Sequence, residues 1–240
     1  MPTSTQGGVF MAEKVFRDIL ETLKMEICLS RASDSSLFEL ARVARRLEFI
    51  KGECIFNDGD ASEYFYLVES GRVILSKDAS SGKAFTFLIA TRGLPLNAVA
   101  CFKPRPRFFS ARAVEKTMVI AIPSTAFKQW VLQNADVAAC ILDTMGNLLD
   151  GAYTRILDLI DESAEQRILN ALHMLSLRIG PDLPMTNNDI ADMTGTSRET
   201  AARVISRLQE AGLIRKSRGH IEILNGLQLD GLSTSPIFIL

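Results

Sequence analysis

The sequence predicts an α+β fold: an N-terminal β jelly roll, one long helix, and a C-terminal winged helix-turn-helix. Three observations predict it. Residues 48–123 alternate short β-branched and aromatic runs with glycine-bearing turns at roughly 8–12-residue spacing, the texture of a small sandwich or barrel. Residues 136–161 carry apolar side chains at helical spacing without a break in type, apart from Gly146 and Gly151. Residues 186–223 hold two short helical patterns around Gly195, followed by a hairpin pattern.

A chain of 240 residues is long enough for two domains, since a single core rarely grows much past ~200 residues. Its 47% hydrophobic and 23% charged content is that of a water-soluble globular protein. No window nears ~18 uninterrupted apolar residues, and MPTSTQGGVFMAEK lacks a basic start followed by an apolar run. A cytoplasmic protein without membrane contact is therefore expected. The domains are read as residues 1–134, 135–162 and 163–240.

Taken in order, VFRDILETLKM is weakly helical after a flexible start, and residues 33–47 form a short amphipathic helix capped by Ser33 or Asp34. In the β region, Gly59, Gly71, Gly82 and Gly93 each follow a turn-forming residue and mark places where φ > 0 is expected. STAFKQWVLQN is a helix with Ser124 as its cap. The long helix carries Val137, Ile141, Met145, Leu148, Leu149, Ala152, Ile156 and Leu159, a seam of the kind that pairs with a twin and so predicts a homodimer. Packing of that helix on its own β domain is the alternative. Ser163 opens the next amphipathic helix, which GPDLP ends, and Thr186 caps the one after it. The tail LDGLSTSPIFIL receives no structural assignment.

TGTSRETAARVISRLQEAGLI carries the chemistry. Ile190, Ala191, Met193, Val204, Ile205 and Leu208 would form the inward face of two crossing helices, with Gly212 just past the end of the second. Ser197, Arg198, Glu199 and Arg203 would stand on the first turn and a half of that second helix, with Thr196 in the turn before it and Thr186 at the first helix's start as further DNA contacts. Arginine bonds guanine O6 and N7 bidentately, glutamate accepts from cytosine N4, and a hydroxyl or helix N-terminus holds phosphate. Between Thr196 and His220 lie six basic residues against two acidic ones, in a chain whose net charge is −1. A hairpin around Arg218 would lie along the backbone as a wing. The expected partner is double-stranded DNA.

At these residues the chain resembles the CRP/FNR transcription regulators. FIKGECIFNDGDASEYFYLVESGRVIL is similar to the family's cyclic-nucleotide-binding-like roll, and the resemblance runs over roughly residues 35–225. It implies a homodimer, an N-terminal sensor, a dimer helix, a palindromic DNA site and contact with RNA polymerase. Arg198, Glu199 and Arg203 match the R-E-x-x-x-R pattern of the catabolite activator branch, which implies a TGTGA/TCACA palindrome with half-sites ~34 Å apart.

The resemblance also bears on the effector. The family's cyclic AMP pocket uses a Gly-Glu pair and an Arg-Ser pair; here those places are read as Asn97-Ala98 and Phe109-Ser110, so cyclic AMP is not expected. The loop FKPRPRFF, with Lys103, Arg105 and Arg107, could take an anion, but its two prolines and loop setting make solvent exposure the expectation. The four cysteines, Cys28, Cys54, Cys101 and Cys140, lie far apart and are expected to be free thiols, so no zinc site or iron–sulfur cluster is expected. The resemblance is nearest to the HcpR and DNR-like regulators, which implies haem and nitric oxide in a nitrosative-stress response. Candidate axial ligands are His173, Cys101, Met145 and Pro2. A small apolar or aromatic effector, as in halophenol sensors, is the alternative, with Met145 among the contacts, and a non-sensing DNA-binding protein is another. An enzyme of the cupin type needs clustered histidines in its strands, and no histidine precedes His173.

Overall fold

The computed structural model describes residues 5–78, 84–103 and 105–234. Two compact units form: one runs to Lys77 and resumes over Phe87–Asp143, and the other takes Asp78–Thr86 with the chain from Thr144 onward. Gly82 and Pro2 lie outside the described residues.

The first unit begins with α1 (Thr5–Met25), a 3-10 turn (Leu29–Arg31) and α2 (Asp34–Arg42). The weak helix read near the N-terminus is thus 21 residues long. Ser33 caps α2, its Oγ accepting the Ser36 N–H at 3.2 Å. The predicted helix over residues 33–47 is too long. Residues from Arg45 leave the helix to pair as a strand, because the ladder bonds and packing offered by a neighbouring strand outweigh local helix preference.

That strand is β1 (Arg45–Phe49); β2 (Cys54–Phe56), β3 (Tyr64–Ser70), β4 (Val73–Asp78), β5 (Ala84–Ala90), β6 (Ser110–Ala113) and β7 (Thr117–Pro123) complete the roll. They form two sheets, ordered β1-β7-β3 and β2-β6-β4-β5. Tyr64-Phe65-Tyr66-Leu67-Val68 and Met118 to Ile122 read as continuous apolar runs because the sheet they share is covered on both faces. Phe65, Leu67, Ile120 and Ile122 enter a cluster with the helices. Their neighbours Tyr66, Val68, Val119 and Ala121 turn the other way, into the interior of the roll with Phe56 and Leu75. A turn at Gly71 admits no other residue: at φ 84°, a Cβ there would meet Thr117 Oγ1 at 2.5 Å and the Lys116 carbonyl at 2.6 Å.

After β7 comes α3 (Ser124–Gln133), packed by Phe127 stacked on Phe65 at 3.9 Å and by Trp130, whose Nε1 donates to the Ser36 carbonyl at 2.9 Å. Ser124 is not its cap. The preceding residue, Pro123, holds that position, and Ser124 Oγ instead donates to the Ser62 carbonyl at 2.6 Å.

The next helix, α4 (Ala135–Asp161), is unbroken through Gly146 and Gly151. Val137 is its one buried residue among those described, while Leu142, Met145, Leu149, Tyr153, Ile156 and Ile160 form an exposed apolar stripe at spacings of three and four. The expectation of four free thiols is corrected here. Cys28 and Cys140 form a disulfide with Cα atoms 5.3 Å apart, while Cys54 and Cys101 are free. A sequence separation of 112 hides the pair; folding brings them together because the Cys28 segment and the first turns of α4 share the helical cluster.

In the second unit, α4 is followed by α5 (Ala164–Ile179), β8 (Asp182–Leu183), α6 (Asn187–Thr194), α7 (Arg198–Glu210), β9 (Ile214–Ser217), β10 (His220–Ile223) and α8 (Gly226–Leu232). Ser163 caps α5 by accepting the Gln166 N–H at 3.1 Å. The three strands form a small sheet in the order β8-β10-β9. Part of the unassigned tail is α8: Leu229 is fully buried, and the Leu232 carbonyl accepts from Gln166 Nε2 at 2.7 Å. Residues 235–240 lie outside the described residues.

Candidate nucleic-acid interface

Thr186 accepts the Asp189 N–H while the Asp189 carboxylate accepts the Thr186 N–H at 2.7 Å, a reciprocal capping box that starts α6. The helix ends at Gly195, whose φ of 64° turns the chain. Thr196 N–H then donates back to the Ala191 carbonyl at 3.0 Å. Two residues later Ser197 caps α7, accepting the Thr200 N–H at 3.1 Å. A turn this short fixes the crossing of α6 and α7, and Ile190, Ala191, Met193, Val204, Ile205 and Leu208 are all buried between them and their neighbours. The predicted inward face is therefore the observed one.

The outward face is polar. Ser197, Arg198, Glu199 and Arg203 are exposed at the start of α7, and Thr196 is half-buried, its Oγ1 3.1 Å from that of Thr194. Charge on this surface is not uniform. Arg207 pairs with Glu165, and Arg215 pairs with Glu222 at 2.9 Å. Among the described residues Arg203, Lys216 and Arg218 make no ion pair, and Arg198 makes none within 4.0 Å, though its charge favours the carboxylate of nearby Asp192. Arg218 is exposed at the tip of the β9–β10 hairpin, where Gly219 (φ 77°) closes the turn. The hairpin is anchored to the recognition helix, since Lys216 N–H donates to Gln209 Oε1 at 3.0 Å.

One residue that sequence reading overlooks ties this unit together. Arg167, on α5, donates from Nε to the Thr194 carbonyl at 2.9 Å and from Nη1 to the Glu162 carbonyl at 2.9 Å. Nothing in its sequence context distinguishes it from an ordinary surface arginine on an amphipathic helix.

The expected effector residues of the roll are less coherent. Asn97 is the one non-glycine residue with positive φ among those described (59°), and it opens a 3-10 turn over Ala98–Phe102. Phe109 stacks on Phe87 at 4.6 Å, and Ser110 Oγ accepts the Asp58 N–H at 2.9 Å. The expectation of an exposed basic loop is wrong for Arg107. It is 3% exposed, packed 3.8 Å over Phe56 and 5.3 Å from Tyr66, with Nη2 donating to the Tyr64 carbonyl. Its backbone explains the burial: Arg107 N–H donates to Asp60 and its carbonyl accepts from Gly59, which draws the loop onto the roll. Burial pushes its guanidinium below the ordinary range, and Nη1 has no hydrogen-bond partner.

The described candidate haem ligands are divided between the two units. His173 and Met145 fall in the second unit and Cys101 in the first. His173 is buried with Nε2 3.4 Å from Asp230, Met145 lies on the exposed stripe of α4, and the Cys101 thiol accepts from Ser124 Oγ at 3.3 Å.

Fold and surface together define a sensor-type roll joined to a winged helix-turn-helix. Residues 166–232 match the Crp-like helix-turn-helix domain, and residues 46–134 match the cyclic nucleotide-binding domain. The chain is 29% identical over 195 residues to the cyclic AMP receptor protein of Thermus thermophilus, covering 81% of this chain and 90% of that one. It is 22% identical over 189 residues to a CRP-like cAMP-activated global transcriptional regulator of Mycobacterium tuberculosis, covering 75% and 84%. The structure of FixK2 from Bradyrhizobium japonicum superposes with a TM-score of 0.70 at 23% identity, over 81% of this chain and 99% of that one. The chain is a DNA-binding transcription regulator of the CRP/FNR family.

Proposed function

We propose that two copies of this chain pair through α4 and read a TGTGA/TCACA-like palindrome, under the control of a small anionic effector held in the roll. The observation that carries the DNA reading is the exposed Arg198–Glu199–Arg203 surface at the N-terminus of α7. An arginine free of internal ion pairs presents its donor fork to a guanine edge, whereas one already paired, such as Arg207, does not. Pairing is supported by the exposed stripe of α4, which leaves Leu142 and Ile160 about two-thirds exposed in the single chain.

The effector reading rests on Arg107. The two relatives named for cyclic AMP invite that ligand, but Ala98 offers no carboxylate to a ribose hydroxyl. A guanidinium whose Nη1 lacks a hydrogen-bond partner, set among Phe56 and Tyr66, suits a compact anion with an apolar or aromatic body, such as a phenolate, better than it suits haem. Binding in the roll shifts the pairing of α4, and this re-aims the recognition helices. The hinge is the two-residue step Glu162-Ser163 between α4 and α5. Proline at Asp161 uncouples effector from DNA affinity on this account.

Sedimentation velocity of the chain alone, and then with a duplex carrying the palindrome, tests the reading. Two chains per duplex, protected over both half-sites in a footprint, is the expected result. A single chain per duplex without a footprint contradicts it.

A further inference from the structure

The Cys28–Cys140 disulfide has no part in the DNA or effector reading. A regulator that reads DNA works beside DNA, where thiol pools keep most cysteines reduced, and a disulfide in that setting is characteristically one that is made and broken. The inference therefore rests on the DNA-binding assignment.

Cys28 lies between α1 and α2, 2% exposed, and its backbone is held in place. The Glu26 carboxylate accepts the Cys28 N–H at 2.9 Å and the Leu29 N–H at 2.6 Å. Cys140 is in the second turn of α4 and is partly exposed. It sits in the stretch where Val137, Ala138 and Ile141 pack against the helical cluster. The bond thus fastens the front of the chain to the root of the helix that carries the exposed apolar stripe. Cys54 and Cys101 are not paired. Burial pushes the Cys101 thiol up, which disfavours its thiolate as a competing nucleophile.

We propose that Cys28–Cys140 is a thiol–disulfide switch, opened by low-molecular-weight thiols of the glutathione class and acting on the root of α4. A glutathione thiolate attacks the more accessible Cys140 sulfur. The S–S bond breaks, and Cys28 leaves with the electron pair and takes up a proton. A second glutathione thiolate then attacks the glutathione sulfur of the mixed disulfide and releases Cys140 as a thiol. Two glutathiones become one glutathione disulfide, and the protein gains two electrons and two protons. With the bond closed, the Val137–Ile141 stretch is fixed to the α1–α2 connection. With it open, that stretch is held by apolar packing alone, and the long helix is free to take another pairing.

The 240-residue chain is equilibrated at graded ratios of reduced to oxidised glutathione, then alkylated and peptide-mapped. In parallel, its affinity for the labelled palindromic duplex is read by anisotropy at the same ratios. The expected result is a reversible change of state at Cys28 and Cys140, accompanied by at least a fivefold change in DNA affinity. Cys28→Ala/Cys140→Ala abolishes the redox dependence, and if that variant folds poorly the wild-type titration carries the test alone. Tight DNA binding that is equal across all ratios overturns the switch and leaves the regulator reading in place. So does a pair that stays reduced throughout. A bond that cycles in a chain binding the duplex in neither state contradicts the DNA reading, and the switch falls with it.

Discussion

Arg167 holds the carbonyl of Thr194, its Nε donating across 2.9 Å to the last residue of α6. The same guanidinium holds Glu162 at the end of the long helix, so one side chain spans the hinge and the helix-turn-helix. Gly195 adds a steric constraint, since a Cβ there would lie 3.2 Å from Leu159 Cδ2 in the last turns of α4. The turn is thus tied to the α4–α5 junction by one side chain and one close approach.

Arg167→Met keeps the apolar stem and removes both bonds. Charge-assisted bonds of this kind contribute about 1.5–3 kcal/mol. The variant is expected to unfold at lower urea concentration and to bind the palindrome at least tenfold more weakly. An unchanged urea midpoint contradicts the bridging role.

Arg198 is the residue assigned to a guanine. Arg198→Ala is expected to cost about 1–3 kcal/mol in specific affinity and to relax one base position in each half-site. Selection from a library of randomised sites measures this. Recovery of the unaltered site by the variant refutes the assignment.

Two arginines on the same surface are expected to behave differently. Arg218 is free on the wing, whereas Arg207 is paired with Glu165. Arg218→Ala should weaken binding to all sequences alike and lower the slope of log affinity against log salt by about one per chain. Arg207→Ala should leave the slope nearly unchanged. Equal slopes for the two variants would falsify this division of charge.

Glu26 predicts a pH effect on stability. Burial pushes its carboxyl above the ordinary range, partly offset by the N–H groups of Leu29 and Cys28. A carboxyl with a raised folded-state pKa binds its proton more tightly in the folded chain. Its contribution is thus fully present below the ordinary carboxylate range and is lost as pH rises through the raised value. Glu26→Gln retains an acceptor without the charge, so urea midpoints across that window should fall less steeply with pH than in the parent chain. Parallel profiles contradict the assignment.

Features that obey local rules were legible in the sequence. Ser33 and Thr186 read as caps and are caps, a short side-chain oxygen before an apolar run, while Ser163 and Ser197, which read as the first residues of their helices, stand one position earlier and cap them. The α6–α7 core and the positive φ of Gly195 and Gly212 follow from spacing alone. Legibility fails where partners are distant in sequence. Arg45 to Leu47 looks helical until β7 offers it a ladder. Arg107 looks like part of an exposed basic loop until the Asp60 and Gly59 backbone draws it onto Phe56. Cys28 and Cys140 carry no spacing signal, and Ser124, placed like a cap, is taken by the Ser62 carbonyl.

The most direct test of the account compares equilibrium affinity for two duplexes of equal length at one fixed salt concentration. One carries TGTGA and TCACA half-sites a helical turn apart, and the other carries the same bases scrambled. The account predicts binding at least ~10³-fold tighter to the palindrome, the lower end of what sequence-specific regulators achieve. Equal affinity for both duplexes, with the same salt slope, contradicts it: the surface of α7 would then hold phosphate without reading bases.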